Sequence, residues 1–141
     1  MRRCVLLAVS ALLLFPAAAA AAIDITVVRY NPPGSDTGSN ASLVAEYVTI
    51  QNNGRSATAL TGWRLHDNQH HQFTFPEFTL CGGCSVHVRT GKGTDGVRNL
   101  YWGLGNYVWN NTGDRATLVK PTGVIRDTCA YTPTAAGVKI C

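Results

Sequence analysis

The sequence predicts an all-β fold, an antiparallel β-sandwich or small barrel, and two observations carry that expectation. From residue 23 onward apolar residues recur at every second position in short runs, without the i, i+3, i+4 stripe of an amphipathic helix. Clusters of glycine, asparagine and proline stand between the runs and mark chain reversals. Some seven to nine short strands in a chain of 141 residues suit a two-layer antiparallel architecture.

The first 22 residues precede this pattern. Arg2 and Arg3 form a basic start, Val5 to Phe15 an apolar stretch, Pro16 a break, and Ala17 to Ala22 a run of small residues, which is the order of a secretory signal peptide. The apolar stretch is short for a membrane span, and Cys4 is expected to leave with the signal. Cleavage after Ala22 leaves Ile23 to Cys141, 119 residues, enough for one domain with a buried core and too few for a second. Loss of Arg2 and Arg3 leaves 10 Lys plus Arg against 8 Asp plus Glu, a net charge of +2 rather than +4. So weak a balance does not by itself require nucleic acid or an acidic membrane surface as partner. The expected location is extracellular, with no transmembrane span in the mature form.

The strands follow in order. Ile23, Ile25 and Val27 alternate with Asp24 and Thr26 ahead of the turn-rich NPPGSDTGSN, residues 31–40. In LVAEYVTI, residues 43–50, Val44, Val48 and Ile50 share a face that Glu46 interrupts; Asn52, Asn53 and Gly54 then give a hairpin-type turn signal. Trp63 and Leu65 face one way, Arg64 and His66 the other. FTFPEFTL, residues 73–80, changes apolar parity at Pro76, which fits a bulge, an edge position or a break between two strands. Val86 and Val88 point inward with His87 and Arg89 outward; YVWN, residues 107–110, is another short run; Ala116 and Leu118 are in phase; GVIRDTCAY closes the series. TPTAAGVKIC, residues 132–141, reads as a tail pinned by Cys141.

Cys81 and Cys84 flank two glycines in FTLCGGCSVHV. Such a pair is a redox centre, half of a zinc site or a clip across a turn. A catalytic thiol of the redox class normally opens a helix that lowers its pKa, whereas here a strand follows. The four cysteines left after loss of Cys4, in a chain bound for an oxidising space, favour two disulfides. Of the three possible pairings, Cys81 with Cys84 across a hairpin turn and Cys129 with Cys141 are expected, the second closing the longer loop and so stabilising more. Gly91, Gly93 and Gly96 spell G-x-G-x-x-G after a strand, but no helical period follows, so GKGTDG reads as a turn whose glycines take positive φ.

His66, His70 and His71 cluster beside Asp67 in HDNQHH, with ligand types that suit zinc. No second cluster supplies a fourth ligand at a recognised spacing, and no metal or other cofactor is expected. Glu46 and Glu77 are the only glutamates; Asp36, Asp67, Asp95 and Asp114 fall in predicted turns, where Asp bonds its own backbone, and Asp24 and Asp127 within strands. Tyr101, Trp102, Tyr107 and Trp109 lie close to Arg98 and Arg115 and can form a stacking surface for sugars or single strands. Trp109 is expected in the core and Trp102 at the surface.

Seven stretches in order resemble the lamin-tail domain family, in particular its secreted bacterial single-domain members. They are AEYVTIQNNG (residues 45–54), LTGWRLHD (60–67), FTFPEFTL (73–80), VHVRTGKGTD (86–95), LYWG (100–103), YVWNNTGDRATLV (107–119) and VIRDTCAY (124–131). The resemblance implies an immunoglobulin-like β-sandwich with Val48, Ile50, Trp63, Leu65, Val88, Trp109 and Leu118 in the core. It brings no catalytic constellation, since family members are regarded as interaction modules. CGGC and Cys141 depart from the nuclear members.

The functional expectation is a secreted, non-enzymatic module that binds a protein, a cell-envelope polymer or, with weaker support, an extracellular nucleic acid. Its candidate contact residues are His66, His70, His71, Lys92, Arg98, Tyr101 and Trp102, on loops carried by a rigid sandwich. The alternative is a small secreted enzyme, either a metal-dependent hydrolase using His66, His70 and His71 or a thiol-disulfide oxidoreductase using Cys81 and Cys84.

Overall fold

The structure, a computed structural model, describes residues 22–141. The predicted signal segment therefore lies, but for Ala22, outside the described residues. The elements are β1 (Ile23–Arg29), α1 (Asn40–Ala45), β2 (Tyr47–Asn52), β3 (Thr58–Ala59), β4 (Arg64–His66), β5 (Gln72–Thr74), β6 (Thr79–Leu80), β7 (Ser85–Arg89), β8 (Asn99–Tyr101), β9 (Asp114–Val119), β10 (Ile125–Tyr131) and β11 (Val138–Ile140). A five-stranded sheet in the order β11-β1-β2-β7-β8 faces a four-stranded sheet, β10-β9-β4-β5, and a two-stranded β3-β6 ribbon stands beside them. This is the predicted immunoglobulin-like β-sandwich, with more and shorter strands than the alternation resolves. Among the described residues all pairs are antiparallel but one: β7 and β8 run parallel, joined by the loop at 90–98.

Alternation does what it predicts in the middle of the strands. Ile23, Ile25, Val48, Ile50, Val86, Val88 and Leu100 point inward from one sheet and meet Leu65, Phe73, Ala116 and Leu118 from the other, with Trp63, Phe75 and Trp109 filling the space between. Each large apolar side chain enclosed here stabilises by roughly 1.5–3 kcal/mol. Pro76 separates β5 from β6, which lie in different sheets.

Elsewhere the chain departs from simple alternation. A bulge at Thr26 shifts the β1 register between Ile25 and Val27, so Val28 rather than Val27 enters the core. Residues 40–45 form a short helix instead of opening a strand, because the Ser39 hydroxyl accepts the Ser42 amide at 3.3 Å and caps it; Leu43, not Val44, is buried. After Asn52 the chain leaves its sheet rather than making a hairpin. The buried Asn52 amide donates to the Ser56 and Leu80 carbonyls at 2.9 and 3.0 Å and accepts from Gly54 N at 2.9 Å.

YVWN is a loop and not a strand, held from inside by Glu46. The C-terminal segment is no loose tail: β11 pairs with β1, and the Cys141 amide donates to the bulge carbonyl of Thr26 at 2.9 Å. At the other edge of this sheet, β8 is covered by its own approach loop. The Gly96 amide donates to the Asn99 carbonyl at 2.8 Å, and the Asp95 carboxylate accepts the Tyr101 amide at 2.9 Å.

Candidate functional site

Both expected disulfides are formed, with Cα separations of 5.2 Å for Cys81–Cys84 and 5.9 Å for Cys129–Cys141. The CGGC turn is not a hairpin, since β6 and β7 belong to different sheets. Its glycines serve two needs: Gly83 takes a φ of 74°, and a Cβ at Gly82 would collide with the Arg55 carbonyl. The second bond joins β10 to the end of β11, and so ties one sheet to the other.

The histidine loop is organised around an acid. Asp67 is buried; its Oδ1 accepts the amides of Gln69 and His71 at 2.9 and 2.8 Å, and its Oδ2 meets His71 Nδ1 at 2.6 Å. His66 Nδ1 lies 3.2 Å from the Asp67 carbonyl, and His70 is exposed with a φ of 71°. The Gln69 amide, turned to donate, bridges Asp67 and Asp114 at 3.0 Å each. Asp114, which begins β9 rather than sitting in a turn, also accepts the Asn68 amide at 3.1 Å. Among the described residues no three His, Cys, Asp or Glu side chains are grouped as metal ligands. The loop's polar groups thus lock the β4–β5 connection against β9.

Glu46 is the most enclosed charge-bearing side chain among the described residues. Its Oε1 accepts from Thr90 Oγ1 at 2.6 Å and from the Val108 and Trp109 amides at 2.9 and 3.3 Å; its Oε2 and the Trp109 Nε1 are buried without a partner among the described residues. Burial raises its pKa to about 7 against the lowering effect of those hydrogen bonds, with the Asp36 charge adding a little. The Tyr131 phenol is likewise pushed up, by burial first and then by the charges of Asp114 and Glu46. Glu46 fastens α1, β7 and the loop at 102–110 to one another.

The remaining sequence candidates lie around β8. Lys92 and Arg98 are exposed, and Tyr101 is half-buried on β8. Trp102 is not the exposed platform expected of it: its ring packs between Phe73 and Trp109, with centroids at 5.8 and 6.3 Å, because residue 102 continues the β8 alternation two residues beyond buried Leu100 and turns inward. In GKGTDG the glycines do not need positive φ. Gly91 lies against α1 and Gly93 against the Tyr101 ring, where a Cβ would collide. These are close-approach glycines.

One surface joins residues that lie far apart in the chain. On the outward face of the five-stranded sheet, Arg29, Tyr47, Arg89 and Tyr101 stand side by side on β1, β2, β7 and β8. The guanidinium carbons of Arg29 and Arg89 lie over the Tyr47 ring, 5.6 and 5.0 Å from its centre. Beneath this row His87 bonds Thr49 through Nδ1 at 2.9 Å and tilts against Tyr47; burial, then the Arg89 charge, holds its imidazole below the usual pKa. Alternation marks Arg89 as outward, but the row needs cross-strand register, which no single segment contains.

Two packed sheets, a cysteine clasp across them and loops rigidly fastened at both ends define a disulfide-bonded immunoglobulin-like domain. The family model described as Lamin Tail Domain matches residues 16–133, and the chain belongs to that family. No curated protein matches it. No helix among the described residues is long and apolar enough to cross a membrane.

Proposed function

We propose that the chain is a secreted, non-enzymatic interaction module, delivered by residues 1–22 and binding a macromolecule through its surface: a protein, a cell-envelope polymer or an extracellular nucleic acid. One observation carries this reading. The arginine and tyrosine row on the outward sheet face, with Lys92 and Arg98 on the adjoining loop, forms a rigid positive surface whose donors the fold leaves open. The disulfides fit an oxidising space. Family membership supports the role of a module, although a fold does not name a ligand.

The test is retention of envelope fractions, soluble proteins and DNA on the immobilised chain at two salt concentrations. Retention that weakens at high salt and on Lys92→Glu or Arg98→Glu substitution is expected. Uniform failure to retain any ligand would sink the reading, as would turnover of a substrate by the purified chain.

A further inference from the structure

We propose that the outward face of the five-stranded sheet binds an acidic polysaccharide, its carboxylates held by Arg29 and Arg89. The proposal rests on the interaction-module reading and names the ligand chemistry of one face. Arg29 and Arg89 flank Tyr47 in register, one strand to either side, and both guanidiniums draw in over its ring. A single aromatic ring underlies both guanidiniums and fixes them before any ligand arrives. Each then loses little freedom on binding.

Their hydrogen-bonding capacity is only partly used. Arg29 donates Nε to the Tyr47 hydroxyl at 3.3 Å; Arg89 donates Nε to Asn99 Oδ1 at 2.6 Å and one Nη1 proton to the Val44 carbonyl at 2.7 Å. Of the five donors on each guanidinium, four remain on Arg29 and three on Arg89. Neither arginine has a carboxylate within ion-pair distance among the described residues. Planar forks with free parallel donors grip carboxylates in bidentate fashion.

Charge without a stacking surface selects the polymer. In an acidic glycan the carboxylates recur along the chain, and each guanidinium, reaching Tyr47 from the strand on either side, can take one. A single-stranded nucleic acid brings bases that seek an aromatic face to stack on. The Tyr47 ring on which a base would stack already carries two guanidiniums, and the Gly93 backbone lies against Tyr101. The row therefore offers two held cationic forks and little stacking surface.

The experiment is fluorescence anisotropy of the purified full chain with three labelled probes: an alternating uronate and N-acetylhexosamine oligosaccharide, a neutral oligosaccharide of equal length, and a single-stranded oligonucleotide of equal charge. The uronate probe should bind, the neutral probe should not, and the oligonucleotide should bind more weakly. Arg29→Lys and Arg89→Lys keep the charge but lose the fork, and each should weaken uronate binding roughly tenfold. Arg29→Lys separates binding from folding, since its side chain bonds only a surface tyrosine, and its melting curve should match the parent's. Equal binding by the lysine variants, equal or tighter binding of the oligonucleotide, or no uronate binding overturns the proposal. If uronate fails while another macromolecule is retained through Lys92 and Arg98, the polysaccharide assignment falls and the module reading stands; failure of every ligand fells both.

Discussion

One step along the chain separates Tyr47 from Glu46 and Arg89 from Thr90, and that step reverses the side of the sheet. Outward, Tyr47 and Arg89 pair with donors left over. Inward, Glu46 takes a hydroxyl and two amides on one oxygen and leaves the other without a partner. Unused hydrogen-bonding capacity costs stability when buried, because water cannot complete it. On the surface the same surplus costs nothing in the free protein and is available to a ligand.

The largest effect should come from removing the inward acid. Glu46→Ala leaves the Thr90 hydroxyl and the Val108 and Trp109 amides unpaired inside the protein, and should destabilise by about 4 kcal/mol in urea unfolding. A loss below about 1 kcal/mol would show that the loop at 102–110 does not depend on this anchor.

The next prediction concerns charge rather than contacts. The Glu46 pKa is about 7 in the folded protein against an ordinary 4.5, so the folded state holds its proton more tightly than the unfolded chain does. Stability from this group is therefore complete below pH 4.5 and is lost as pH rises to 7, by about 3 kcal/mol. Glu46→Gln should flatten that part of the pH profile in paired melts at pH 5 and pH 8. A profile unchanged by the substitution would mean that Glu46 is ionised at little cost.

Asp67 lies between the two extremes, a buried acid whose partner His71 reaches solvent. Asp67→Ala removes the acceptor for two loop amides and should cost roughly 2 kcal/mol. Limited proteolysis should then cut within residues 68–71; continued resistance would mean that the Asp114 side of the network holds the loop alone. The smallest effect belongs to the outward face. Arg29→Ala should change stability by no more than about 0.5 kcal/mol, and a larger loss would make the row structural.

How much of this was legible in the sequence depends on the range of the interactions involved. Trp63, Leu65, Val86 and Val88 declare themselves because alternation is local, and Cys81 with Cys84 because a four-residue turn brings them together. Val28 is hidden by a bulge that one partner strand imposes on another. Glu46 looked like an interruption, since its partners lie 44 to 63 residues away. The arginine row was missed for the same reason: Arg29, Tyr47 and Arg89 are neighbours only once the strands are in register. HDNQHH offered ligand types that suit zinc, and composition does not reveal that Asp67 turns inward and organises the loop's own backbone.

The loop that covers β8 bears on how such molecules behave when crowded. A strand at the margin of a sheet with open amides and carbonyls invites the next molecule to dock there and extend the sheet. Here the Tyr101 amide and the Asn99 carbonyl are already taken by Asp95 and Gly96. The β8 margin is thus partly taken by local chemistry, and edge-to-edge extension of the sheet from one molecule to another would have to displace those bonds first.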